Sequence, residues 1–148
     1  MKKFRVLLLS VILSVLMALR AFASTEIGLN LDWRYAANSR INTGKAVLYT
    51  TDASHKKGIT IAVNAGHGTK GGESVQTLCH PDGSKKLSGG TTAAGSVTSF
   101  AVSSGMTFSD GTPEHVVTRQ LAHAFMKQLL AEGYDVLMLR DGEDVQLD

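Results

Sequence analysis

Between Gly58 and Gly72 the chain reads Gly-Ile-Thr-Ile-Ala-Val-Asn-Ala-Gly-His-Gly-Thr-Lys-Gly-Gly, and this stretch limits what the rest can form. Ile59 to Val63 alternate apolar with small or polar residues and are rich in β-branched side chains, which predicts a buried strand. The run breaks abruptly into Ala65-Gly66-His67-Gly68. A histidine between two glycines at the carboxyl end of a buried strand sits on backbone with almost no side-chain cover. Open α/β sheets place ligands at that edge, and histidine is the commonest metal ligand, although it is also an ordinary loop residue.

A second constraint lies downstream. Thr112 is a good N-cap, Pro113 suits the first helical position, and Glu114 complements the positive end of a helix dipole. Val117, Leu121, Phe125 and Leu129 recur at every fourth position and predict an apolar stripe, which Gly133 terminates. Tyr134 to Leu139 then reads as another buried strand, and Arg140-Asp141-Gly142 turns out of it. Strand, long connection with helix, and strand make a βαβ unit with parallel pairing. The expected fold class is α/β, a mainly parallel sheet with flanking helices.

The first residues have a different character. Lys2, Lys3 and Arg5 precede an apolar run from Val6 to Leu19, and Ala21-Phe22-Ala23 matches an A-x-A cleavage site. The apolar run is shorter than the roughly 20 residues a membrane span needs. Arg20 is unusual there and leaves a retained anchor open, but the A-x-A match favours residues 1–23 as a signal peptide. An exported chain without stable membrane insertion is expected. Of the 15 Lys and Arg in the sequence, Lys2, Lys3, Arg5 and Arg20 lie in that leader; the 11 that remain face 13 Asp and Glu, a net charge of −2. No basic patch argues for nucleic acid. Cys79 is the one cysteine, so in an exported protein it is a free thiol or pairs outside this chain.

Residues 24–58 read as an amino-terminal arm or linker with short strands. Ile27, Leu29, Leu31 and Trp33 alternate with mostly polar residues, which suits a short strand or an extended arm, and Ala46 to Tyr49 suits a second strand. His55, beside Lys56 and Lys57, reads as a solvated loop residue. From Glu73 to Gly111 small and polar residues dominate, with a short strand expected within Val97 to Val102. A loop-rich stretch of that length inside a domain is usually functional or disordered, and it reads here as an insertion lining one side of a cleft.

Glu114, three residues before Val117, lies over the helix stripe, where its carboxylate has a structural use at the helix dipole. Its pairing with His67 gives it a second. Val63-Asn64-Ala65-Gly66-His67-Gly68, followed by Glu114 opening a helix and by Gly133 to Arg140 with Asp144 and Leu147 behind, resembles the zinc-dependent N-acetylmuramoyl-L-alanine amidases. The resemblance covers roughly residues 59–148, the expected amidase-like domain. The glycine-histidine-glycine turn is a weak motif alone; the ordered set in an exported protein is fairly specific.

The resemblance implies one Zn2+ held by a histidine after the first strand, a glutamate at the start of the next helix, and a second histidine. The first two match His67 and Glu114. Glu73 is a rival carboxylate, but no helix start follows it. In the family the second histidine follows a later strand and a catalytic glutamate lies near the domain's end; neither has a counterpart here. His80, His115 and His123 are the remaining candidates for the third ligand, and none fits well: His115 points about 100° away from Glu114, and His123 lies two and a half turns beyond it. The catalytic residue is therefore unassigned. The chain is expected to be an amino-terminal portion of such a domain, with weak zinc affinity and no useful activity by itself.

The implied activity is hydrolysis of the amide joining N-acetylmuramic acid to L-alanine, with peptidoglycan as partner. Gly66, Gly68, Gly71 and Gly72 would let substrate approach the backbone. The reading of a different class is an exported, non-catalytic cell-wall-binding protein on the same scaffold. Gly66 to Gly71 also fits G-x-G-x-x-G, but no helix opens directly after it as dinucleotide binding requires. No G-x-S-x-G elbow occurs to support a serine hydrolase.

Overall fold

The computed structural model describes residues 22–68 and 72–143. The basic and apolar regions within residues 1–21, which the sequence led us to read as a signal peptide, lie outside the described residues, as do Gly71, Asp144 and Leu147. Among the described residues there are six strands and one long helix: β1 (Ala23–Ile27), β2 (Ala46–Thr50), β3 (Thr60–Val63), β4 (Gln76–Leu78), β5 (Thr98–Phe100), α1 (Glu114–Ala131) and β6 (Asp135–Met138). Short 3-10 turns occupy Ala36–Asn38 and Gly72–Ser74. Among the described residues no helix is long and apolar enough to cross a membrane.

The principal sheet has the order β1-β2-β6-β3. β3 and β6 are parallel, with Thr60 opposite Asp135 and Val63 opposite Met138. This is the predicted βαβ unit, whose long connection through α1 permits parallel pairing. The other two pairings are antiparallel: Ala23 to Ile27 run against Thr50 to Ala46, and Val47 to Tyr49 against Met138 to Val136. The sheet is therefore mixed, not the mainly parallel sheet with flanking helices that the sequence led us to expect. The reason lies in residues 51–59. They carry no helix, so β2 and β3 point in opposite directions with β6 between them, and β1 folds back on β2. The segment read as an arm thus supplies two strands to the same sheet as β3 and β6.

The core forms where α1 lies on the sheet. Val63, Ala65, Ala122, Met126, Leu129, Leu130, Val136 and Met138 are buried together. Along β6, Val136 and Met138 are fully buried while Asp135 and Leu137 are half-buried, the alternation of a strand with one face on a helix. The inward row of α1 is Ala122, Met126, Leu129 and Leu130, not the predicted stripe. Only Leu129 of that stripe is buried. Leu121 is 69% exposed, and Val117 and Phe125 are also exposed. The two rows are displaced by one residue, about 100° around the helix, and both are apolar, so periodicity could not separate them. The outer row flanks the edge of β3 that is unpaired among the described residues, where Ala62, Val63, Leu121 and Phe125 line an open groove of about 590 Å³.

The start of α1 is anchored by the loop just before it and its end by chain distant in sequence. Pro113, not Thr112, occupies the N-cap, held extended by a bridge to Thr107. No side chain caps this end; the Glu114 amide donates to the Met106 carbonyl at 2.9 Å. At the other end Gly133 takes φ 89° and donates to Leu130, while Tyr134 donates to Leu129. That is a glycine-terminated helix stop, as predicted. The buried Thr51 hydroxyl adds a 2.7 Å bond to the Leu130 carbonyl, and the Thr51 amide donates to Asp135 Oδ1 at 2.8 Å. β4 and β5 form a separate antiparallel pair within the loop-rich stretch.

Candidate metal centre

His67 follows β3 in the left-handed region, at φ 64°. A non-glycine residue there is uncommon, and it persists only where the surroundings fix it. Several bonds do so. The Gly66 carbonyl accepts from Thr118 Oγ1 at 2.6 Å and from Arg140 Nη2 at 3.3 Å. The Gly68 amide donates to the Ser103 carbonyl at 3.1 Å. The histidine turn is thus pinned from one side by α1 and β6 and from the other by the loop before the helix.

Arg140 is the hub of this arrangement, and it is only 3% exposed. Its Nε donates to the Ala65 carbonyl, and its Nη2 to the carbonyls of Gly66 and His115 and to Thr118 Oγ1. Desolvation, and after it the charge of Arg119, draw the guanidinium below its ordinary pKa; it remains charged at neutral pH. The rigid fork, just after β6, joins the turn that follows β3 to the first turn of α1 at the sheet edge where His67 emerges. From sequence Arg140 read as the start of a turn and the end of the stretch that carries the resemblance, with no role in the site. Its role needs three distant carbonyls to converge, which no local pattern displays.

Glu114 opens α1, and its Oε2 lies 3.4 Å from His67 Nε2. Both side chains are about 30% exposed, so they face a partly dry crevice. The Met106 amide donates to the same Oε2 at 2.8 Å and orients the carboxylate. Two ligands of a tetrahedral zinc, each at about 2.0–2.1 Å, stand about 3.3 Å apart. The pair therefore has the donor types and the spacing of two adjacent zinc ligands, with the outer hydrogen bond that fixes a ligating carboxylate.

Gly105 closes over the pair. Its φ is +76°, and a Cβ there would fall 2.7 Å from His67 Cγ and 2.8 Å from Glu114 Oε2. Only glycine allows that backbone to lie against both side chains. Glu73, the rival ligand, instead accepts from the Ser104 amide at 3.2 Å and braces this loop. A cavity of about 220 Å³ adjoins His67, lined also by Asn64, Ser103, Leu139 and Arg140.

The other histidines lie elsewhere. His80 Nδ1 is 2.9 Å from Ser84 Oγ in an exposed turn. His123 Nε2 is 3.0 Å from the Asp141 carbonyl and 3.5 Å from Asp141 Oδ1. His115 keeps a buried Nδ1 with no hydrogen-bond partner among the described residues, and His55 is exposed. Among the described residues no group of three or more His, Cys, Asp or Glu is placed to share one metal ion. Compared with protein-family models, with curated proteins and with solved structures, the chain has no match in any of the three.

Proposed function

We propose that His67 and Glu114 are two ligands of a hydrolytic zinc site, in a protein that cleaves the amide between N-acetylmuramic acid and L-alanine in peptidoglycan. The observation that carries this reading is the 3.4 Å approach of an imidazole nitrogen and a carboxylate oxygen from two elements that meet at one sheet edge. The leader-like first 23 residues and the order of the motifs along the sequence support an exported cell-wall enzyme. Zinc bound there would lower the pKa of a coordinated water to about 7 and polarise a carbonyl.

This chain's own residues do the positioning. Arg140 and Thr118 hold the Gly66 carbonyl, which sets the direction of the His67 ring. Met106 fixes the oxygen of Glu114 that faces the ring. Gly105 leaves the two side chains adjacent and shields one side of them. A third ligand and a catalytic acid–base group are outside this set, so the described residues are expected to bind zinc weakly.

The test is release of peptide from purified cell walls by the protein in its natural full-length form. Zinc-dependent release abolished by His67→Ala supports the enzyme. Cell-wall association that persists with chelator and with His67→Ala, without any release of peptide, contradicts it and favours the non-catalytic binding protein.

A further inference from the structure

A second cleft lies away from His67, where the connection between β1 and β2 packs on β4. It encloses about 360 Å³, within the range of small-molecule sites, roughly 300–1,000 Å³. Trp33, Tyr35, Asn38, Ser39, Thr77 and Pro81 are among the residues that line it. Trp33 is 53% exposed, and Leu29 and Tyr35 beside it are 37% exposed. Exposed apolar patches rimmed by polar residues mark ligand-binding grooves or interaction sites when they are large.

The cleft is preformed. Consecutive turns tie Trp33 to Asn30, Ala36 to Trp33, Asn38 to Tyr35 and Ser39 to Ala36 through backbone bonds of 2.8–3.2 Å. Tyr35 takes φ 69°, a conformation a tyrosine adopts only at a cost, and here it brings the ring to the cleft that Trp33 also lines. Asn38 Nδ2 donates to the Pro81 carbonyl at 2.8 Å, which fixes its carboxamide and ties the turn to the chain after β4.

The lining chemistry selects the ligand. Among the described residues it contains no carboxylate, and its one charged side chain, Arg34, is stacked on the Tyr35 ring at 4.7 Å. An uncharged ligand fits best. Flat aromatic faces beside an amide and two hydroxyls match a molecule with apolar C–H faces and a hydroxylated rim, which describes a pyranose. Leu29, Leu78 and Pro81 add an apolar wall that suits the methyl of an acetamido group better than another hydroxyl.

We propose that this cleft binds an oligosaccharide of N-acetylated hexosamine units, with Trp33 as the stacking platform. The site is independent of the His67–Glu114 pair and stands whether or not that pair holds zinc. Trp33 is the only tryptophan in the chain, so its intrinsic fluorescence reports on the cleft directly. Titrating the protein with chitotetraose is expected to give a saturable change in Trp33 emission, and cellotetraose, which lacks acetamido groups, a much weaker one. By calorimetry Trp33→Ala should weaken chitotetraose binding at least tenfold, while His67→Ala leaves it unchanged. Because Trp33 is half-exposed, its replacement should not unfold the protein, and the fluorescence titration requires no variant. An emission spectrum unmoved through the millimolar range, equal responses to the two sugars, or full binding by Trp33→Ala would each overturn the assignment.

Discussion

Gly105 lies so close to His67 that a single added carbon would collide with the imidazole: its Cβ would sit 2.7 Å from His67 Cγ. The same carbon would be 2.8 Å from Glu114 Oε2. The loop before α1 is therefore part of the site's geometry and not a passive connection. Gly105→Ala is expected to spread the pair and to cost about 1–3 kcal/mol in backbone strain. Zinc affinity should fall by more than the loss in thermal stability alone would explain, which parallel calorimetry and melting curves will show.

Arg140 is expected to behave as a structural clamp whose loss reaches the site. Arg140→Met takes its donor from the Ala65 carbonyl and leaves the Gly66 and His115 carbonyls with Thr118 Oγ1 alone, in a largely buried setting, and should destabilise the fold by about 2–4 kcal/mol. Arg140→Lys keeps the charge but cannot reproduce the fork, so it should recover only part of that loss. Urea denaturation of the three proteins checks the order.

At the far end of α1 the prediction concerns stability alone. A Cβ on Gly133 would stand 2.5 Å from the His55 carbonyl oxygen, at φ 89°. Gly133→Ala should cost about 1–3 kcal/mol and leave zinc binding unchanged. A loss of zinc affinity there would mean that the helix moves as a unit and that its two ends are not independent.

Tyr49 gives the fold a dependence on alkaline pH. Burial first, then the charge and hydrogen bond of Asp141, raise its pKa above the ordinary tyrosine value of 10.0. The folded state therefore holds the phenolic proton more tightly than the unfolded chain. This contribution is complete below about pH 10 and is lost as pH rises towards the folded pKa. Tyr49→Phe should flatten the decline in stability above pH 10, as measured by denaturation at a series of pH values. An unchanged slope would contradict the assignment.

The parts of the fold legible in the sequence were those with their own period and punctuation. β3, β6 and the stop of α1 at Gly133 lie where alternation, β-branched residues and glycine place them. The inward face of α1 was misplaced because Val117, Leu121 and Phe125 form an apolar row as regular as the buried one. The β1 strand ends at Ile27, and the alternating Leu29, Leu31 and Trp33 beyond it are exposed, so alternation there marked a surface and not a strand. The mixed sheet escaped detection because strand direction depends on which neighbour β2 pairs with, a choice made by tertiary contacts. In the candidate site, His67 and Glu114 carried local signals, a glycine-flanked turn and a helix start. Arg140 and Gly105 matter only through atoms brought from elsewhere in the chain.

The central claim is that His67 and Glu114 bind one metal ion together. The most direct measurement is calorimetric titration of the protein with zinc, repeated for His67→Ala, Glu114→Gln and the double variant. One weak site is expected, with each single substitution weakening it by at least about tenfold and the double variant little worse than either, because the ligands act as a unit. Zinc binding of equal strength in all four proteins would contradict it.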